Sequence, residues 1–274
     1  MKQRVIFGAI GAVIAIAAFL YANQTVIAFA ATVLIFMAMY EFFKTLGFIN
    51  TKKSLVVISY IYSACLIGSL VCSKTIANQY LPFVMCTAII SMFVLMVLRH
   101  KDILFADVAS AFSGTTYLTL FLMCIYLIRI LPDGKIYIWL PFVLAWLTDT
   151  FAYFVGVFFG KHKLIPSVSP KKTIEGSVGG ILGAVITVVI YLYVSSNFSG
   201  LTPKYISGIV LSIICSVASQ FGDLAASCIK RENNAKDFGS IMTGHGGVMD
   251  RFDSVIYISP IVYWFLISYE IFVH

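Results

Sequence analysis

The sequence predicts an all-α integral membrane protein with about nine transmembrane helices and a cytoplasmic N-terminus. Of its 274 residues, 60% are hydrophobic and only 11% are charged, whereas soluble chains are near half apolar and a quarter charged. Apolar stretches recur along the whole chain, and most approach the ~20 residues that carry a helix across ~30 Å of hydrocarbon. Basic residues also collect in alternate connections, as in multi-pass membrane proteins.

The predicted spans are continuous apolar runs, without the alternating polar face of barrel strands. They are Val5–Tyr21, Val26–Tyr40, Leu55–Cys72, Leu81–Leu98, Ala111–Leu131, Ile136–Phe159, Ser177–Val194, Tyr205–Ile229 and Val255–Val273. The first run lacks a small-x-small cleavage site, so we interpret it as a retained helix rather than a signal peptide. We expect one polytopic domain, with residues 1–131 as scaffold helices and residues 132–274 as catalytic helices and loops.

The chain has a net charge of +7, and its basic residues are distributed as in a multi-pass membrane protein. With the N-terminus inside and nine spans, 15 of the 19 Lys and Arg residues face the cytoplasm. This bias follows the positive-inside rule. It therefore favours a cell (inner) membrane protein in contact with the lipid bilayer over a nucleic-acid partner.

The two halves of the chain differ in polar content. The first half has few ionisable residues in its spans, and we interpret Glu41, at the inner end of the second span, as an interfacial charge. The six cysteines have no metal-like spacing and suit small buried hydrophobes. From about Leu144 onward, polar residues enter the spans, and two long cytoplasmic loops follow, Gly160–Gly176 and Lys230–Asp253.

Two aspartates lie inside predicted spans. Asp149 is in the sixth span and Asp223 in the eighth, where a carboxylate at the helix centre costs roughly 2.5–3.5 kcal/mol on insertion scales. For either residue, a hydrogen bond between helices is the structural alternative to a functional role. Asp223, Ser227 and Lys230 share one helical face. Carboxylate, hydroxyl and ammonium groups together suit Mg²⁺ bound beside phosphate oxygens.

The second long loop combines basic, acidic and glycine residues. Its chemistry-bearing residues are Lys230, Arg231, Lys236, Asp237, His245, Gly246, Gly247, Asp250, Arg251 and Asp253. Asp250 and Asp253, three positions apart, are expected on one face at the start of the ninth helix. Paired glycines let backbone amides approach an anion closely, and an arginine can hold phosphate with two hydrogen bonds. Attraction of a basic loop to anionic lipid would explain the lysines, but not the aspartates, glycines and histidine among them.

The first long loop ends in a predicted helix start. Thr173 is the expected N-cap of the seventh span, with Gly176 at a packing position. Lys171 and Lys172 stand at the helix end that the dipole makes unfavourable for cations. That placement is explained if the site holds a polyanion such as a nucleoside triphosphate, with Glu175 also in the predicted substrate site.

These loops resemble the phosphatidate cytidylyltransferase (CDP-diacylglycerol synthase) family. The family pattern runs Ser-x-x-Lys-Arg-x4-Lys-Asp-x-Gly and then His-Gly-Gly-x-x-Asp-Arg-x-Asp, which Ser227 through Asp253 fill. The Ser169–Gly176 block and Asp149–Tyr153 are also similar, and the N-terminal part resembles the family only in hydropathy. Met242 stands where Leu, Ile or Phe is usual, and Thr243 where Pro is common.

The resemblance implies that CTP and phosphatidic acid react to give CDP-diacylglycerol and pyrophosphate. It implies Mg²⁺ held by Asp223 and Asp250, with a monovalent cation such as K⁺ beside it in some members. Catalytic roles are expected for Asp223, Asp250, Asp253, Lys230 and Arg231. Substrate contacts are expected for Lys171, Lys172, Thr173, Glu175, Ser227, Lys236, Asp237, His245, Gly246, Gly247 and Arg251. A homodimer is left open.

Four other functions are alternatives to this one. A CTP-dependent lipid kinase of the dolichol or phytol type would transfer the γ-phosphate, and an archaeal-type synthase would act on ether lipids. A transporter would place Asp149 and Asp223 on an ion path, but transporters commonly show repeated halves, which this sequence lacks. A phosphatidyltransferase would need an Asp-Gly-x2-Ala-Arg motif, which is absent from the sequence.

Overall fold

The protein is described here from a computed structural model that covers residues 21–72, 74–239 and 246–273. Seven stretches of helix in these residues are long and apolar enough to cross a membrane: Gln24–Thr45, Lys53–Cys72, Tyr80–Leu98, Phe105–Arg129, Gly134–Phe159, Ile174–Ser199 and Tyr205–Glu232. The predicted class, an all-α multi-pass membrane protein, is confirmed. The number nine and the cytoplasmic N-terminus stay predictions, since nearly all of the first predicted span lies outside the described residues.

The chain divides into two compact units. The first unit extends up to Tyr126 and also contains the described part of Ala235–Arg251. The second unit contains Leu127–Asn234 and the chain from Phe252 onward. The last long helix begins in the first unit and continues in the second.

The first unit is built from long helices joined by tight turns. These are α1 (Gln24–Thr45), the short α2 (Phe48–Thr51), α3 (Lys53–Cys72), α4 (Lys74–Leu98) and α5 (Phe105–Arg129), the last up to Tyr126. Asn23 caps α1 by accepting the Val26 N–H at 2.9 Å. Gly47 turns the chain between α1 and α2 with φ 72°, a left-handed conformation that glycine adopts without strain.

Side-chain hydrogen bonds between helices hold the first unit together. The Ser63 and Thr119 hydroxyls lie 2.7 Å apart and join α3 to α5, and Tyr62 and Thr116 do the same at 2.9 Å. Tyr60 on α3 donates its hydroxyl to a backbone carbonyl of α1. Within hydrocarbon such pairs satisfy groups that lipid leaves without partners.

The second unit contains α6 (Gly134–Tyr137), α7 (Leu140–Phe159), α8 (Ile174–Ser199), α9 (Tyr205–Glu232) and most of α10 (Met249–Ser268). Strands β1 (Lys163–Ile165) and β2 (Ser169–Thr173) form an antiparallel hairpin between α7 and α8. Strands β3 (Thr202–Pro203) and β4 (Phe272–Val273) pair near the end of the chain. The sequence had not predicted either pair of strands.

Glycines allow α7 and α8 to pack with their backbones close together. Gly176, Gly179, Gly180 and Gly183 follow one another along one face of α8, and all are buried. A Cβ atom at Gly176 would lie 2.6 Å from the Ala152 carbonyl oxygen of α7. Small residues are typical of helix interfaces in membranes, because dispersion contacts there replace the hydrophobic effect.

Several predicted boundaries differ from the observed helices. The predicted span Val26–Tyr40 is too short, because α1 continues to Thr45 and includes Glu41. The predicted span Ile136–Phe159 is divided into α6 and α7, and a proline opens α7 where its missing N–H is not needed. The last helix ends at Ser268 rather than Val273, since residues 272–273 pair with β3.

The glycine contact predicts a stability difference between two Gly→Ala variants. Gly176→Ala should lower the thermal unfolding temperature in detergent, since overpacking costs about 1–3 kcal/mol. Gly68→Ala on α3 is the matched control, because a Cβ there meets nothing within 4 Å. Equal unfolding temperatures for the two variants would contradict the close packing of α7 on α8.

The charge distribution predicts the topology. Single cysteines at Lys171 and Asp237 should react with a membrane-impermeant maleimide only from the cytoplasmic side, and one at Asn197 only from outside. All three positions are exposed. The native cysteines that are exposed, Cys65, Cys72, Cys86 and Cys228, must first be replaced. Labelling of position 237 from outside would overturn the arrangement with nine spans and the N-terminus inside.

Candidate functional site

The first long loop is a β-hairpin that leads directly into α8. Lys163 pairs with Thr173, and Ile165 pairs with Ser169. Thr173 has extended backbone, and its hydroxyl accepts the Gly176 N–H at 3.1 Å. The predicted N-cap is therefore confirmed. It brings Lys171 and Lys172, on the second strand, to the N-terminal end of α8.

Glu175 fastens the base of this hairpin. Its carboxylate accepts the backbone N–H groups of Lys161 at 3.1 Å and His162 at 3.2 Å, and it lies 2.6 Å from the His162 Nδ1 atom. The sequence predicted a substrate contact for Glu175, and that role stays a prediction. The observed contacts give the side chain a structural role, which is to hold the loop against the start of α8.

The hairpin meets α9 through an ion pair. Lys172 Nζ lies 2.5 Å from Asp223 Oδ2, with both side chains partly buried. A lysine predicted to bind phosphate and an aspartate predicted to bind metal thus lie together. Partial burial strengthens the attraction between them, because less water screens the two charges.

Two further aspartates lie near this ion pair. Asp149 on α7 accepts the Ser254 hydroxyl of α10 at 3.2 Å. Asp253 is 9% exposed and lies close enough to Asp149 and Asp223 for the three carboxylates to repel one another. Lys230, also buried, offsets part of that charge at Asp253. The second unit therefore gathers three carboxylates and two lysines at one place, which we call the aspartate cluster.

The aspartate cluster has the donor chemistry that a magnesium ion requires. Mg²⁺ prefers carboxylate oxygens, and it is commonly held by one or two of them together with waters and substrate phosphates. Among the described residues, no three His, Cys, Asp or Glu side chains converge at the distances of a closed metal site. A site with few protein ligands, in which Asp223 binds the ion and substrate completes the shell, fits this arrangement.

Hydroxyl and amide groups extend the polar region within the second unit. The Ser177 hydroxyl on α8 donates a short hydrogen bond to the side-chain Oε1 atom of Gln220 on α9, and Gln220 Nε2 donates back to the Ser177 backbone carbonyl at 3.2 Å. The Thr148, Ser216 and Ser219 hydroxyls are buried and have no hydrogen-bond partner among the described residues. These groups were not predicted, although the run of serines along the eighth predicted span could have indicated them.

The loop before α10 (described segments 235–239 and 246–248) belongs to the first unit and is folded around Asp250. Asp250 Oδ2 accepts the Phe238 N–H at 2.9 Å and the Gly247 N–H at 3.0 Å. Gly246 has φ 82°, which other residues rarely adopt. The predicted start of the last helix next to Asp250 is confirmed, because α10 begins at Met249.

The surroundings of Glu41 differ from those predicted. It was interpreted as an interfacial charge, but its side chain is fully buried. Its carboxylate accepts the N–H groups of Val248 at 2.9 Å and Met249 at 2.8 Å, at the start of α10. The interpretation was wrong because the sequence gives the depth of Glu41 along its own helix, but not the loop that covers it.

The remaining predicted residues are placed as follows. Lys171, Arg231, Lys236, Asp237 and Arg251 are exposed, and Ser227 is half-buried on α9, one turn after Asp223. His245 lies outside the described residues, as do Met242 and Thr243. Asp223 and Asp250, the predicted metal pair, belong to different units, so their pairing stays a prediction.

Comparisons with known proteins agree with the motifs. A model of the cytidylyltransferase family matches residues 2–269. The phosphatidate cytidylyltransferase of Staphylococcus haemolyticus (strain JCSC1435) is 38% identical over 172 residues, which are 63% of this chain and 64% of that protein. The enzyme of the same name from Bacillus subtilis (strain 168) is 43% identical over 133 residues, 48% of each chain.

The family model and the two relatives cover different shares of the sequence. In both cases the matched part is less than two thirds of the relative's length. The family model, in contrast, covers nearly the whole sequence, including both loops and every aspartate discussed above. The chain belongs to the cytidylyltransferase family.

Proposed function

We propose that the chain is a phosphatidate cytidylyltransferase, which makes CDP-diacylglycerol and pyrophosphate from CTP and phosphatidic acid. The observation that carries this proposal is the aspartate cluster, in which Lys172 pairs with Asp223 beside Asp149, Asp253 and Lys230. The names of the bacterial relatives support the same activity. The active site would face the cytoplasm from the inner membrane, as the distribution of basic residues predicts, and a homodimer stays open.

The reaction requires two anions to meet. A phosphate oxygen of phosphatidic acid attacks the α-phosphorus of CTP, the bond from that phosphorus to the bridging oxygen breaks, and pyrophosphate leaves with the electron pair. The lipid phosphate is already ionised, so the protein need not supply a nucleophile. Its task is to hold both phosphates in line and to offset the charge that develops on the leaving group.

The basic residues of the two loops would perform that task. Lys171 and Lys172 lie at the N-terminal end of α8, where helix amides and the dipole also favour an anion. Lys230 and Arg231 lie in the last turn of α9. Mg²⁺ held by Asp223 and Asp250, with the monovalent cation such as K⁺ that the family resemblance implies, would neutralise phosphate charge. Asp253 and Asp149 would orient the groups around Asp223.

A labelling experiment tests the proposed reaction against its closest alternative. Purified protein is incubated with phosphatidic acid and with CTP labelled either in the α-phosphate or in the γ-phosphate. Label from the α-position alone should enter the chloroform-soluble fraction, while γ-label is released as pyrophosphate. Transfer of the γ-label to lipid would identify a lipid kinase. A lipid fraction that contains neither the α-label nor the γ-label would reject both activities. A parallel reaction with an ether-linked phosphatidate measures preference for archaeal-type lipids.

Removing divalent cations should abolish turnover. Hard oxygen ligands at Asp223 and Asp250 predict that excess EDTA stops the reaction and that added Mg²⁺ or Mn²⁺ restores it. Initial rates are measured after dialysis, with Ca²⁺ addition as the control for nonspecific charge screening. Full turnover in excess chelator would contradict metal-assisted transfer.

Neutralising the carboxylates should separate their roles. Asp223→Asn and Asp250→Asn should abolish transfer in folded protein, because an amide keeps the size but loses the charge that attracts a cation. Asp149→Asn should be milder, since Asp149 accepts a hydrogen bond from Ser254. Asp102→Asn, at an exposed position in the first unit, is the matched control. If Asp223→Asn keeps more than about a tenth of the rate, a barrier change under ~1.4 kcal/mol, Asp223 is not a metal ligand.

Neutralising the lysines should have a different effect. Lys171→Gln, Lys172→Gln, Lys230→Gln and Arg231→Gln should chiefly raise KM for CTP or phosphatidic acid at ordinary salt. Lys172→Gln also removes the ion pair with Asp223, so it should lower kcat more than Lys171→Gln does. Steady-state kinetics in mixed micelles measure both constants. Equal effects of Lys171→Gln and Lys172→Gln on kcat would argue against a role for the ion pair.

A further inference from the structure

The carboxylate of Glu41 accepts hydrogen bonds at the start of the last helix, α10. Glu41 is on α1, near its C-terminal end, and its side chain is fully buried. One oxygen accepts the Val248 N–H at 2.9 Å, and the other accepts the Met249 N–H at 2.8 Å. Both amides directly precede Asp250, which the family resemblance marks as a functional carboxylate.

These amides lie at the N-terminal end of α10, which is the end of a helix that needs hydrogen-bond acceptors. The first N–H groups of an α-helix have no partner within the helix, and the dipole makes that end positive. A carboxylate there satisfies two donors at once and is stabilised by the dipole. This explains how a fully buried Glu41 is tolerated where an unpaired charge would be costly.

Two glycines of the family pattern are placed by the same carboxylate. A Cβ atom at Gly239 or at Gly247 would overlap the carboxylate group of Glu41. Neither glycine has a positive φ, so the lack of a side chain is required by space and not by backbone conformation. The segments on both sides of residues 240–245 therefore converge on Glu41.

The neighbouring contacts connect Glu41 to Asp250. Thr45, one turn after Glu41 on α1, donates its hydroxyl to the Phe238 carbonyl at 3.3 Å. Phe238 and Gly247 donate their N–H groups to Asp250 Oδ2. The backbone that orients the Asp250 carboxylate is thus the same backbone that α1 holds through Glu41 and Thr45.

We propose that Glu41 is a positioning residue for the cytidylyl transfer. Its charge fixes the loop before α10 and the first turn of that helix, so that the Asp250 carboxylate is held in one orientation for phosphate transfer. The inference rests on the proposed function. It assigns to a residue of the N-terminal scaffold a part in the chemistry that the sequence placed wholly in the second half of the chain.

Kinetics of Glu41→Gln test the proposal. The glutamine keeps the shape, but its amide group faces a backbone N–H that needs an acceptor. We expect kcat to fall at least tenfold, a barrier change of about 1.4 kcal/mol, while KM for CTP changes less than threefold. Glu270→Gln, at an exposed glutamate of the second unit, should leave both constants unchanged. A Glu41→Gln enzyme with kcat within twofold of the wild type would overturn the proposal.

Hydrogen exchange separates positioning from general stability. In Glu41→Gln, peptides that cover residues 246–252 should exchange faster, while peptides from α7 and α8 keep the wild-type rate. The destabilised Gly176→Ala variant provides the contrast, since it acts on α8. Faster exchange throughout the chain, together with a lowered unfolding temperature and rising KM, would mean that Glu41 only stabilises the fold.

A double variant provides an independent measure. Gly239→Ala should push against the carboxylate and lower kcat as Glu41→Gln does. If both act through one contact, the combined variant should lose about as much as either alone, whereas independent effects on the barrier would add. Additive losses would therefore reject the shared contact.

Failure of the proposed function gives a different pattern. A wild-type protein that makes no CDP-lipid rejects the cytidylyl transfer, and with it the catalytic part of this inference. The exchange measurement is unaffected by that result and still reports whether Glu41 holds the loop. An active wild type with an unchanged Glu41→Gln rate rejects the positioning role alone.

Discussion

Hydrocarbon neither donates nor accepts hydrogen bonds, so a polar group buried in this chain is costly unless the chain itself supplies a partner. The free ends of helices are the most demanding case, because several amides are left without partners at once. In the first unit, the start of α10 is satisfied by Glu41, and the loop before it is satisfied by Asp250 and Thr45. Glu41 and Asp250 accept backbone N–H groups there, and Thr45 donates its hydroxyl to the Phe238 carbonyl.

The second unit solves the same problem with charges of both signs. Asp149, Asp223 and Asp253 would repel one another in a medium of low polarity, and Lys172 and Lys230 reduce that repulsion. Such a group of charges is weak evidence for stability, because apolar residues of similar volume commonly stabilise an interior as well or better. Under the proposed function, ligands that are themselves highly charged, such as a triphosphate, would account for these charges.

The same polar cluster also suggests why the glycine-rich contact of α7 with α8 lies beside it. Close approach of the two backbones brings Asp149 on α7 and the start of α8 near each other without long side chains between them. Gly176, which follows the cap and the hairpin, is part of that contact. Packing of the helices and placement of the functional groups are therefore one arrangement in this unit.

Residue type and spacing predicted the features that depend on neighbouring residues. The membrane class, the Thr173 cap and the start of the last helix next to Asp250 all depend on a few adjacent positions, and all are confirmed. Contacts between distant positions were not predicted. Lys172 and Asp223 are 51 residues apart in the sequence. The residues around either position give no sign that the two side chains form an ion pair.

Glu41 shows most clearly why the remaining features could not be derived. An acidic residue at the end of an apolar span has the same local pattern whether lipid headgroups or a loop covers it. Its position near the C-terminal end of α1 was therefore predicted correctly, while its burial was not. The hairpin was missed for a related reason, since three to five residues of strand between two helices leave little periodicity to recognise.

The distance along the chain between Glu41 and its amide partners affects how the protein is made. The two hydrogen bonds join residues separated by 207 and 208 positions. At ~5–20 residues per second, synthesis of that length takes roughly 10–40 s. During this interval, α1 has been produced but the amides that bury its carboxylate have not. The first unit can therefore complete its folding only after Met249 has been synthesised.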